Sequence, residues 1–259
     1  MTEVFARGAM VLRAHELARH FGGLAAVNDV SLECHMGEVH AVIGPNGAGK
    51  TTLINILSGD LPLTKGRIEL YGRNVTGLAS HQISRLGVGR SYQKTNVFLP
   101  FTALENCRLA AQSRFASSMR FFRPASRYKT LIEAAERALA QVGLEYRAGV
   151  PVAALSHGER RQIEIAMALA THPRLLLLDE PLAGMGAEES ARIVELLRKL
   201  VKNHAILLVE HDMDAVFAVA DLLTVMVNGS VLESGAPDQV RNSKSVREAY
   251  LGTDEVVHE

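Results

Sequence analysis

The chain has 259 residues, 47% of them hydrophobic, enough to bury a large core in one or two domains. Its 28 basic and 28 acidic residues cancel, aromatics make up 5% and tryptophan is absent, so neither a basic surplus nor a stacking surface marks nucleic acid as a partner. The N-terminal MTEVFARGAM lacks the apolar core of a secretory leader and no run approaches the ~20 apolar residues of a membrane span, so any membrane role is expected to be peripheral.

Residues 9–43 alternate short apolar runs with turn signals: MVLRAHEL, FGGLAAVND, VSLEC and GEVHAVIG predict several strands with tight connections. In KTTLINILSG, Leu53, Ile56 and Leu57 recur at helical spacing and the pattern stops at Gly59. RIELYG and GVGRSY read as further strands. From Leu104 to Gly143 the pattern is helical, and SSMRFFRPASRYK between the two helices reads as a solvated surface loop. Beyond residue 155, helices over 158–171, 188–201 and 212–220 alternate with the strands RLLLLDE, AILLVEH and LLTVMV. That alternation predicts a parallel sheet covered on both faces. Residues 230–251 return to short elements, and no internal repeat is visible. Cys34 and Cys107 fit no metal or redox spacing and read as buried free thiols, which suits a reducing compartment.

The run GPNGAGKTT follows one predicted strand and opens a helix, the context that makes G-x-x-x-x-G-K-[ST] a phosphate-binding loop. The loop of Gly44, Pro45, Asn46, Gly47, Ala48 and Gly49 would cradle a triphosphate at a helix N-terminus, its residues other than Pro45 turning backbone N–H groups toward it. Lys50 would reach the β- and γ-phosphates, Thr51 would place its hydroxyl on Mg²⁺, and Thr52 continues the helix start. Farther on, an apolar strand ends in Asp179 and Glu180. An acid at the carboxyl end of a parallel strand faces the ligand crevice. Asp179 is therefore expected to contact Mg²⁺, and Glu180 to orient or deprotonate the attacking water.

In order along the chain, GPNGAGKTT, Gln93 in SYQ, LSHGE (155–159), LLLLDEP and His211 in VEHD resemble the motifs of ATP-binding cassette (ABC) ATPases, over residues ~10–251. The resemblance implies an α/β P-loop fold with a parallel sheet core, an N-terminal antiparallel β part and an inserted α-helical subdomain. It divides one nucleotide-binding domain into an ATPase core (9–98 and 151–229), a helical subdomain (99–150) and a tail (230–259). It also assigns roles. Ser156 and Gly158 would meet the γ-phosphate of an ATP held by a second subunit, Gln93 would complete the Mg²⁺ shell and sense a transmembrane partner, and His211 would contact the γ-phosphate. Phe21 falls where the family places an aromatic under adenine, with a core phenylalanine as the rival reading. Ser156 and Glu159 also suit a helix-capping box, which would preorganise the same helix.

Two departures stand out: His157 and Glu159 replace the usual Gly and Gln of the signature motif, and Gly186 stands where an Asp usually makes contacts across the dimer. Further stretches, RSYQKTNVFLPFTALEN, PLAGMG, VEHDMDAVFAVAD and AYLG, resemble the ATPases of bacterial branched-chain amino acid importers. Importers of urea and amides, exporters of lipopolysaccharide and soluble cassette ATPases remain the alternatives. The implied partners are transmembrane permease subunits, a second ATPase subunit (identical or related) and, indirectly, a periplasmic solute-binding protein. The implied cofactors are ATP and Mg²⁺, and the implied location is the cytoplasmic face of the inner membrane.

Overall fold

A computed structural model describes residues 6–92, 96–113 and 128–254, with side chains described through residue 249. The chain opens with β1 (Met10–Phe21) and β2 (Leu24–His35), an antiparallel pair turned at Gly22 and Gly23. FGGLAAVND and VSLEC therefore do not form two strands: the first spans the turn, and both contribute to β2. The polar Asn28–Asp29 pair, at the join of those two runs, forms a bulge. Asp29 adopts φ 55°, and the register slips between the Leu17–Val30 and Arg19–Val27 pairs.

The buried strand β3 (Val39–Ile43) leads into helix α1 (Lys50–Leu57), which closes at Gly59 with φ 76°, where the spacing predicted its end. β4 (Lys65–Leu70) and β5 (Arg73–Asn74) complete a sheet ordered β2-β1-β4-β5. Next come α2 (Ser80–Arg85), β6 (Val88–Arg90), α3 (Ala103–Gln112) and α4 (Lys129–Gln141). Most of the basic loop between α3 and α4 lies outside the described residues.

Then α5 (His157–Ala170), β7 (Leu175–Asp179), α6 (Ala187–Leu200), β8 (Ala205–Val209), α7 (Met213–Val219) and β9 (Leu222–Val227) alternate as predicted, with ends differing by about a residue or so. β10 (Ser230–Gly235), α8 (Pro237–Asn242) and α9 (Lys244–Asp254) finish the chain. Among the described residues the central sheet runs β10-β9-β3-β8-β7-β6, parallel except for the hairpin strand β10.

The central strands divide their side chains strictly. Leu176, Leu178, Ile206 and Leu208 join a cluster with α3, α4, α5 and α6. Leu175, Leu177, Leu207 and Val209 join a second cluster with α1 and the antiparallel sheet. This is the two-residue period of a strand buried on both faces, each fully buried leucine contributing about 2 kcal/mol. Cys107, Leu131 and Leu139 show that α3 and α4 share the core of the central sheet. Val240 of α8 and Val246 of α9 pack beside Leu223 and Val225, which docks the tail on β9. Cys34 and Cys107 are free and buried, as expected, and burial raises the thiol pKa of both, that of Cys107 to about 12.

The topology has a direct consequence for the site. β3, β7 and β8 end side by side, so Gly44, Glu180 and Glu210 emerge at one edge of the sheet. That edge is where ligands bind in open α/β sheets.

Candidate functional site

At the end of β3 the backbone enters a conformation that side chains forbid. Gly44 has φ 153°, and a Cβ there would lie 2.1 Å from the Met226 carbonyl oxygen. Gly49, the N-cap of α1, has φ 99°, and its Cβ would meet the Ala26 carbonyl at 2.2 Å. Glycine is required at both ends of the loop. Further bonds staple it: Gly229 N–H donates to the Ala48 carbonyl at 3.0 Å, and Asn28 N–H to the Gly229 carbonyl at 2.7 Å. Lys50 folds back over the loop, donating to the carbonyls of Gly44 (2.6 Å) and Pro45 (3.0 Å).

This loop forms one wall of a cleft of about 730 Å³ lined by Asn46 through Thr52, Glu180 and Asn228. Phe21, Leu24, Ala25 and Ala26 from the β1–β2 hairpin form the other wall. Phe21 is 47% exposed, and the Arg19 guanidinium lies 4.7 Å from its ring centroid. The rival reading of Phe21 as a core residue fails, because its ring lines the cleft mouth.

Asp179 ends β7 with no exposure, and neither carboxylate oxygen has a hydrogen-bond partner. Burial raises its carboxyl pKa, with Glu180 adding to the rise and the Arg90, Arg161 and Lys50 cations opposing it. Lys50 is pushed the opposite way by burial, against the pull of Glu180 and Asp179. An orphaned buried carboxylate beside the Thr51 helix start offers hard oxygen donors that suit Mg²⁺. The described residues hold no cluster of three or more His, Cys, Asp or Glu side chains arranged for a metal. Mg²⁺ in triphosphate sites uses one or two carboxylates plus phosphate oxygens.

Glu180 follows at φ 49°, left-handed for a non-glycine residue. Its N–H donates to the Val209 carbonyl at 2.8 Å, and its carbonyl accepts from Arg161 at 3.0 Å. His211, on the loop after β8, exposes 61% of its side chain. Gln93 lies outside the described residues; Tyr92 and Asn96 on either side are both tied to α5. Arg161 donates to the Tyr92 carbonyl at 3.0 Å and to Glu164 at 2.5 Å, and Glu164 accepts the Asn96 N–H at 3.1 Å.

The signature segment sits apart. Ser156 caps α5 by accepting the Glu159 N–H at 3.1 Å, and Glu159 accepts the Ser156 N–H at 2.9 Å, the reciprocal box its spacing predicted. Gly158 packs against Glu189, whose Oε1 would lie 2.7 Å from an added Cβ. Ser156, Gly158 and Glu189 line a second cleft with Tyr146, Arg147 and Arg192. The structure thus joins Lys50, Thr51 and Glu180 in one cleft and leaves Ser156 and Gly158 in another. His157, at the unusual position, reaches the Ala183 carbonyl through Nε2 at 3.2 Å and so links the signature to the loop after Glu180. Gly186 is the N-cap of α6 and supplies no side-chain cap.

Four charged residues in this architecture went unassigned in the sequence. Arg90, at the end of β6, donates to Ser58 (2.5 Å), Asp60 (2.6 Å) and Asn55 (2.5 Å) and lies 4.0 Å from Asp179 Oδ2. Arg161 and Glu164 lie on the buried face of α5 alongside Ile165 and Ala168. Charges on an apolar helical stripe are the signal that marks them. Glu210 is fully buried at the end of β8.

Comparison with known proteins places these features. Residues 27–183 match the ABC transporter family, and residues 230–256 match the branched-chain amino acid ATP-binding cassette transporter family. The chain is 39% identical over 250 residues to the high-affinity branched-chain amino acid transport ATP-binding protein LivG of Salmonella typhimurium (strain LT2), covering 93% of this chain and 98% of the relative. It is 40% identical over 251 residues to BraF of Pseudomonas aeruginosa, with the same coverage. A crystal structure of the ADP conformation of an ABC transporter cassette superposes with a TM-score of 0.86 at 28% identity, covering 94% of this chain and 99% of that one.

Proposed function

The chain belongs to the ABC transporter family of ATP-binding proteins, and from that premise we propose that it powers a bacterial branched-chain amino acid importer by hydrolysing Mg²⁺-bound ATP in the cleft beside Lys50. The observation that carries this is the conjunction of a glycine loop closed on Lys50 with a buried Asp179, whose carboxylate has no hydrogen-bond partner, at the same end of the sheet. The matching tail at 230–256 and the named relatives support the cargo class.

On this reading the triphosphate takes over from the Gly44 and Pro45 carbonyls as the partner of Lys50, and loop N–H groups with the start of α1 hold the phosphate oxygens. Asp179, Thr51 and Gln93 would hold Mg²⁺, which neutralises charge building on the transferring phosphoryl group. Phe21 would lie against adenine. Glu180 would orient the attacking water and accept its proton as the γ-phosphorus bond to the bridging oxygen breaks, releasing ADP and phosphate. His211 would contact the γ-phosphate.

Ser156 and Gly158 line a separate cleft, so a second subunit, a copy or a related ATPase, would bring its own pair to this ATP. Closure and release of the two subunits would drive the permease. The surface offered to it holds Phe98, Leu99 and Phe101, 51%, 43% and 43% exposed, just beyond Gln93. An exposed apolar cluster of this kind marks an interaction face. Residues 9–98 and 151–229 are assigned to the ATPase core, 99–150 to the helical subdomain and 230–259 to the tail. No helix among the described residues is long and apolar enough to cross a membrane. On this reading the chain would sit at the cytoplasmic face, held by permease subunits and linked through them to a periplasmic binding protein.

Co-purification of the tagged chain from detergent-solubilised membranes, with ATPase assay of the eluate, tests the reading. Permease subunits together with ATPase activity are expected. An active ATPase free of membrane proteins would overturn transport and keep the enzyme.

A further inference from the structure

The carboxylate of Glu210 is fully buried; it accepts backbone N–H groups from two loops, and the His211 imidazole Nδ1 lies 3.8 Å from its Oε2. Oε1 accepts the Leu182 N–H at 2.7 Å, two residues past Glu180. Oε2 accepts the His211 N–H at 3.1 Å. We infer that Glu210 is a positioning residue that fixes the loop leaving Glu180 to the segment carrying His211, so that both groups are set by one anchor. The inference rests on the proposed ATPase reading and adds a residue to it.

The geometry around Glu180 explains why such an anchor is needed. A left-handed backbone at a non-glycine residue such as Glu180 is strained and persists only where neighbours hold it. Val209 holds the Glu180 N–H, Arg161 holds its carbonyl, and Glu210 holds the chain two residues on. Without Glu210 the loop loses the bond that ties it to the segment after β8, keeping the His157–Ala183 contact and its own turns, and His211 loses a bond to its backbone.

The chemistry also calls for a carboxylate. Every partner is a donor, and an ionised carboxylate accepts at both oxygens. Glutamine at this position would turn an NH₂ group toward one of those N–H groups, losing one bond and adding a repulsive contact. Aspartate would keep the charge and fall one methylene short. Both substitutions retain a polar group of nearly the same size at a position that no apolar cluster includes.

The test compares purified full-length wild type, Glu210→Gln, Glu210→Asp, His211→Ala and the Glu210→Gln/His211→Ala double variant. ATP affinity is measured by calorimetry, kcat by phosphate release, and stability by thermal unfolding. Glu210→Gln should lower kcat ~10–100-fold with ATP affinity within about twofold of wild type. The double variant should lose little more than the worse single, because one unit is broken twice. If Glu210→Gln does not fold, Glu210→Asp decides by the same split between kcat and affinity. Wild-type kcat in a folded variant, or losses that multiply with His211→Ala, overturns the inference and leaves the ATPase reading intact. Absence of ATP binding and turnover in the wild type overturns both.

Discussion

Asp179 sets two buried carboxylate oxygens without hydrogen-bond partners, and burial is the largest cause of its raised pKa. The raised folded pKa fixes the sign of its effect on stability. Protonation relieves the buried charge, so Asp179 destabilises the nucleotide-free protein above its folded pKa and not below its unfolded value, about 3.9. Asp179→Asn should therefore raise Tm by roughly 2–4 °C at neutral pH, without nucleotide or divalent ion, while ATP turnover collapses. The gain in Tm should fade as pH drops toward the unfolded value. Thermal unfolding of both proteins across pH checks it, and a gain independent of pH would assign it to something other than charge. Lys50 and Asp179 were legible in the sequence because a local motif and a strand end declare them. Arg161 and Glu210 were not, because their meaning comes from Glu180 and Leu182, far away in sequence and adjacent only after folding.

On the proposed reading helix α5 has two tasks for one set of residues. Its N-terminal Ser156 closes a capping box, and the same serine with Gly158 is assigned to a neighbouring subunit's phosphate. Ser156→Ala should cost about 1 kcal/mol of stability through the lost cap, a shift of roughly 2–4 °C. Its loss of ATPase activity should be far larger than that shift accounts for, as comparison of unfolding and turnover on one preparation would show. Purely proportional losses would leave Ser156 as a cap alone. The box was legible because its spacing is local. The join between FGGLAAVND and VSLEC was not: Asn28 and Asp29 carry turn chemistry, and only pairing with β1 makes them a bulge inside one strand. The helix–strand alternation after residue 155 read correctly because its strands are buried on both faces and wholly apolar.

At the scale of the molecule, the two clefts of one chain never meet. Glu180→Gln should keep ATP affinity, nearly abolish turnover and shift the chain to a dimer in ATP, which light scattering with and without nucleotide would detect. A monomer in ATP would argue against closure around the nucleotide. The separation of Lys50 from Ser156 has a genetic meaning as well. On the proposed reading, damage at either place spoils one half of a site, and the two halves travel on different molecules. A chain with Lys50→Ala still lends a sound Ser156, and one with Ser156→Ala still lends a sound Lys50. Mixed in equal amounts as identical-subunit pairs, two inactive preparations should recover roughly a quarter of the wild-type sites, since half the pairs are mixed and each mixed pair owns one intact site.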